Sequence, residues 1–129
     1  MADDAMTAKK VWLDMDQAAL DAAYDQAVWA PNQKDVHARR DAASEEAYAR
    51  LAPKRFAYGA SAIEGFDFYS CGKAGAGLVV YVHGGSWRNG VARNFSHLAE
   101  TFTSAGLHCA VLDFVSIDDV AGDLLFMAR

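Results

Sequence analysis

With 129 residues, 53% of them hydrophobic, the chain has the size and composition of one soluble globular domain able to bury a core. Its formal charge of −5, with no basic stripe carrying interleaved aromatics, argues against nucleic acid as a partner. The two cysteines, Cys71 and Cys109, form no disulfide framework, and both fall in strand-like runs expected to bury free thiols.

Residues 1–13 read as a flexible tail. Acids stand where a secretory signal would be basic, and no apolar run is long enough to span a bilayer, so a cytoplasmic location without a membrane partner is expected. Residues 14–52 predict a helical segment. Asp16 caps its first helix, Met15 is placed to pack on Leu20, and Leu20, Tyr24, Ala27 and Val28 share one face. Pro31 ends that helix, because its ring disfavours a helical conformation in the residue before it. A second, alanine-rich helix spans about Asp35 to Leu51 and is closed by Pro53. Its basic group His37, Arg39 and Arg40 lies among acids as a solvated face, with Asp35–Arg39 and Glu46–Arg50 at i,i+4 spacing.

Residues 53–129 change grammar. Arg55–Tyr58 and Phe66–Tyr69 alternate as an antiparallel strand pair, with bends at Gly59 and Gly65. The run Gly72–Gly77 lacks the Lys-Ser/Thr ending and the helix of a phosphate loop, and predicts a turn. Leu78–Val82 is continuously apolar, the pattern of a strand covered on both faces in a parallel sheet. After the loop that follows it, a helix from about Arg93 buries Phe95, Leu98, Ala99, Phe102 and Ala105, with Gly106 as its stop. Leu107–Phe114 is a second buried strand. Ser116 with Asp119 forms a capping box for a helix through Val120, Leu124 and Met127. The fold class is therefore α/β: two N-terminal helices, an early antiparallel strand pair, then a βαβα run of a mostly parallel sheet. A final amphipathic helix with no glycine stop and no following strand reads as the front part of a larger fold.

The chemistry lies in His83-Gly84-Gly85-Ser86-Trp87. Two glycines at the mouth of a buried strand leave backbone N–H groups unshielded and permit positive φ. Two such groups aimed at one point stabilise the oxyanion that forms when a nucleophile adds to a carbonyl. His83 is placed to support the loop backbone, and Trp87 to wall a substrate pocket.

The order of elements around this motif resembles the front half of an α/β-hydrolase. It is similar in particular to the esterase and kynurenine formamidase (arylformamidase) branch that carries His-Gly-Gly-x-Trp. The stretch Tyr24 to Asn32 also resembles the segment preceding the core in that branch. This resemblance implies hydrolysis of a carboxylic ester or amide, an aryl formamide among them, without metal or other cofactor. It implies an oxyanion hole built from the backbone at Gly84, Gly85 and Ser86. Nucleophilic serine, acid and histidine would follow in a G-x-S-x-G elbow and beyond, none of which this sequence carries. The remainder of the fold is thus an expected partner, as a second polypeptide. After the last strand, Phe114-Val115-Ser116-Ile117-Asp118 stands where relatives commonly have Tyr-Arg-Leu-Ala-Pro.

Two serines mimic a nucleophile. Ser61, in Gly59-Ala-Ser-Ala-Ile63, lies between early strands rather than at a strand-to-helix turn. Ser86 follows a buried strand but has no assignable base, and a serine without a base is a poor nucleophile at neutral pH. Two other readings compete: a non-catalytic binding module on the same scaffold, and a self-contained protein whose loop binds an anion with help from Arg88 and Arg93.

Overall fold

The computed structural model describes residues 9–127. Its backbone forms two compact units, one up to Val36 and one from His37.

In the first unit the amides of Val11 and Trp12 both donate to Met15 O, closing a turn that runs into the expected tail. Asp16 caps α1 (Gln17–Tyr24), accepting the Ala19 amide at 2.8 Å. The helix does not run on to Pro31. Asp25 leaves helical geometry and turns its carboxylate to the Ala27 amide at 2.9 Å, starting a separate short helix α2 (Gln26–Trp29). An aspartate offers the backbone a cap in place of a continued helix, and here the cap wins.

The next helix, α3 (Gln33–Leu51), begins slightly earlier than expected and buries Ser44 and Ala47. Its charged residues pair differently from the i,i+4 expectation. Arg50 reaches Glu100 at 2.9 Å, Arg93 pairs with Glu45, and Arg40 pairs with Asp41 at 2.7 Å.

Four strands follow: β1 (Lys54–Ala57), β2 (Gly65–Tyr69), β3 (Leu78–Val82) and β4 (His108–Leu112), in the spatial order β1-β2-β4-β3. The first two pairings are antiparallel and only β3 against β4 is parallel, so the sheet is mixed rather than mostly parallel. A 3-10 turn (Ala92–Phe95) leads into α4 (Ser96–Ser104), which crosses from β3 to β4 and stops at Gly106, φ +81. The helix expected from Ser116 is not formed there. Turns occupy residues 117–122, and a single helical turn α5 (Leu124–Met127) follows.

One face of the sheet carries the core: Tyr69, Cys109 and Val111 pack with Ala92 and Ala99, flanked by Leu51, Tyr81, Phe95 and Phe102. Burial pushes the Cys109 thiol up, whereas Cys71, just past β2, is only half-buried. The register places Phe56, Phe66, Leu112 and Val82 on the opposite face, with Phe68, Ala110 and Val80 beside them. That face is apolar but open: Phe56, Leu78, Val80 and Val82 are exposed.

The expectation that β3 is covered on both faces therefore fails. Val79 and Tyr81 face the core, while Leu78, Val80 and Val82 remain 51–55% exposed. Because His108 donates its amide to Gly77 O, the backbone groups of Val79 and Tyr81 face β4. Those of Leu78, Val80 and Val82 face the free edge.

Candidate functional site

Parallel pairing brings the loops after β3 and β4 to the same end of the sheet, where open α/β sheets bind ligands. The glycine loop is there. Gly85, Ser86 and Trp87 have successive φ values of +130, +56 and +61, and the amides of Arg88 and Asn89 both donate to Gly85 O. Positive φ at both central residues of Gly85–Arg88 marks a primed turn, normally the province of glycine and asparagine. Serine and tryptophan in this region cost roughly 1–2 kcal/mol each. Such strain persists only where surroundings over-determine it, and it clusters at functional sites.

The two glycines have different reasons to be there. A Cβ on Gly85 would lie 1.9 Å from Asn89 O, so the turn itself forbids any side chain. A Cβ on Gly84 would meet nothing within 4 Å, which leaves open space beside the backbone. Among the described residues, the amides of Gly85, Ser86 and Trp87 donate to no acceptor. The loop thus presents a short row of unengaged N–H donors next to a gap, as a developing oxyanion requires.

Supports surround it. The His83 ring is only 3% exposed and is stacked between Phe95 (5.1 Å between centroids) and Phe114 (4.5 Å). Its Nδ1 lies 2.8 Å from Gly84 O, which makes that nitrogen the donor, while Nε2 is buried with no hydrogen-bond partner. Trp87, about half exposed, leans its ring on Phe114 at 5.6 Å. Arg88 pairs with Asp118 at 3.2 Å, and the Ile117 amide donates to Trp87 O at 2.9 Å.

One part of the site was missed by sequence reasoning. Asp113, directly after β4, is 5% exposed. Its Oδ1 accepts the Ala92 amide at 2.5 Å and lies 3.8 Å from His83 Nε2, and its Oδ2 takes Arg55 at 2.6 Å. Arg55 also reaches Asp67, 4% exposed, at 3.2 Å. Burial pushes the Asp67 carboxyl up, against the opposing pull of Arg55. The signal available was the alternation of Arg55 and Asp67 on paired strands, but their partner lies about fifty residues on.

The other candidates separate. Ser61 sits in the β1–β2 turn, its amide held by Glu64 at 2.8 Å, at the same end of the sheet but on the far side of β4 from the glycine loop and not at a strand-to-helix turn. Ser44 and His97 do meet, at 2.8 Å, but Ser44 donates its proton to Asn94 O at 2.7 Å. Its hydroxyl is therefore the acceptor for His97 Nδ1–H, a helix-packing contact rather than a nucleophile with its base. Arg88 and Arg93, expected to help in an anion site, are each paired with a carboxylate, Asp118 and Glu45.

No protein-family model and no curated protein matches the sequence. Among solved structures the chain is similar to a crystal structure of a "putative thioesterase" from Silicibacter sp. TM1040, with a TM-score of 0.69 and 28% identity over 75% of this chain. The chain spans 38% of the length of that structure.

Proposed function

We propose that Gly84, Gly85 and Ser86 supply backbone donors to the oxyanion hole of an acyl-transfer hydrolase acting on a carboxylic ester, thioester or amide. The observation that carries this is the strained turn at Gly85–Arg88, which leaves the amides of Gly85 to Trp87 unengaged beside the open space at Gly84. The likeness to the Silicibacter structure supports the thioester among these substrates, and the His-Gly-Gly-x-Trp resemblance supports an aryl formamide as the amide. Trp87, propped on Phe114, walls the acyl or leaving-group side.

In this reading the serine that attacks the carbonyl, the histidine that takes its proton and the acid that orients it come from a complementing part of the fold outside these residues. The donors near Gly85 hold the oxyanion, and the histidine returns its proton to the leaving group. The free edge of β3 and the open apolar sheet face support such a complement, since an unpaired apolar edge is an aggregation hazard unless something pairs with it.

The test uses this chain alone and assembled with the complementing polypeptide, against a p-nitrophenyl ester, an alkyl thioester and an aryl formamide. The chain alone should not label with a fluorophosphonate, and the assembly should hydrolyse at least one of the three. In the assembly Ser86→Ala should keep kcat within a few-fold, because the amide rather than the hydroxyl acts. A collapse of kcat in Ser86→Ala would make Ser86 the nucleophile. An assembly inert to all three classes would leave a binding module.

A further inference from the structure

We infer that Asp113 is the positioning residue of the glycine loop, bonding the loop where it re-enters regular structure at Ala92, lying beside its start at His83, and itself held in place by Arg55. The loop leaves β3 at His83 and re-enters regular structure at Ala92, nine residues later in the numbering. One carboxylate oxygen, Asp113 Oδ1, takes the Ala92 amide at 2.5 Å and faces the His83 ring edge at 3.8 Å. One foot of the loop is therefore bonded to this buried atom, and the other packs next to it.

The atom is itself fixed from three sides. The Asp113 amide donates to Gly65 O at 2.9 Å, and its carbonyl accepts the Tyr58 hydroxyl at 2.6 Å, so the β1–β2 hairpin sets its backbone. Arg55, from β1, takes the other carboxylate oxygen at 2.6 Å. At this length the opposite charges hold the carboxylate in position. Beyond Asp113, the chain continues as a shelf under the loop: Phe114 against His83 and Trp87, Ile117 to Trp87 O, Asp118 to Arg88. A turn with two non-glycine residues at positive φ needs this over-determination. Gly90 fits the same arrangement, since a Cβ there would lie 3.2 Å from His83 Nδ1.

The inference concerns the loop on which the proposed oxyanion hole rests. Its test reads loop order rather than catalysis, so the two can fail separately. Backbone 15N heteronuclear NOEs would be recorded for Gly85, Ser86 and Trp87 in the full chain, with β2 and β4 amides as internal reference and the thermal transition as a check on the fold. In Asp113→Asn the carbonyl oxygen can still accept from Ala92, but the charge paired with Arg55 is gone. The three loop amides should lose order while the β2 and β4 amides keep theirs. Arg55→Met, on the exposed hairpin and touching no loop residue, should loosen the same three amides to a smaller degree. Asp67→Asn, which leaves the Arg55–Asp113 pair intact, should leave them ordered. A loop as rigid as the wild type in Asp113→Asn overturns the inference. If that variant does not fold, an unchanged loop in Arg55→Met overturns it, as does equal loosening in Asp67→Asn.

Discussion

Ile117 donates its amide to the carbonyl of Trp87 at 2.9 Å, joining the segment after β4 to the crown of the loop after β3. The contact exists because the two strands run parallel and deliver their following loops to one end of the sheet. It anchors the left-handed Trp87 by its carbonyl, leaving the amides of Gly85, Ser86 and Trp87 free to serve a ligand.

The two glycines should respond oppositely to a methyl group. Gly85→Ala forces a Cβ onto Asn89 O and so breaks the turn, costing about 1–3 kcal/mol in urea denaturation. Gly84→Ala has room and no positive φ, and stability should stay within about 0.5 kcal/mol of the wild type. On the proposed oxyanion-hole reading, however, that methyl stands where a substrate carbonyl would approach, and a loss of activity near the ~10²-fold of a 1 Å misplacement is expected in the assembly. Equal stability losses in the two variants would show that the gap at Gly84 is not open in solution.

The free edge of β3 predicts self-association. Leu78, Val80 and Val82 join exposed apolar side chains to unpaired backbone groups. A lysine on an edge strand opposes pairing with another chain. Val80→Lys, at a 55% exposed side chain, should leave the circular dichroism unchanged while lowering the association seen by sedimentation equilibrium. It should also weaken assembly with the complementing polypeptide. A wild-type chain that stays monomeric at every concentration tested would count against a sticky edge.

Local signals were legible in the sequence, and long-range ones were not. Asp16 as a cap and Gly106 as a stop are decided within a few residues, and both stand in the structure. Strand identity for Leu78–Val82 was also legible, but its burial was not, because an apolar run does not say how many neighbours a strand has. The helix expected from Ser116 failed for a related reason. Ile117 is buried and gives its amide to Trp87, and the segment serves the loop instead of winding. Asp113 had no local motif at all. Its partners, Arg55, His83 and Ala92, are assembled by three different pairings, and only the folded sheet brings them together.

His97 gives stability a sign at mild acidity. Burial, with Arg40 adding repulsion, holds its imidazolium below the ordinary 6.5, so the folded chain binds fewer protons than the unfolded one. Its contribution is complete above pH 6.5 and is lost as pH falls through the depressed value. Urea midpoints should therefore drop between about pH 7.5 and pH 5.5 in the wild type, and drop less in His97→Gln. Parallel pH profiles for the two proteins would remove His97 as the source.

A buried hydroxyl pair offers a test of how the core is wired. Tyr69 donates to Ser96 Oγ at 2.7 Å, and Ser96 donates onward to Arg93 O at 2.8 Å, tying β2 to the start of α4. Tyr69→Phe leaves the serine's own proton placed and should cost about 1 kcal/mol. Ser96→Ala strands a buried phenol and should cost more, about 1–3 kcal/mol. The double variant should cost less than the sum, since removing both partners leaves nothing unsatisfied. Burial also pushes the Tyr69 phenol up to about 12, despite the opposing hydrogen bond to Ser96. The folded chain thus keeps a proton that the unfolded chain gives up near the ordinary 10.0, and this support, complete below that value, is lost as pH rises through about 12. Alkaline unfolding should follow that window in the wild type and lose its tyrosine component in Tyr69→Phe. Strict additivity of the two substitutions would show that the hydroxyls do not act as a pair.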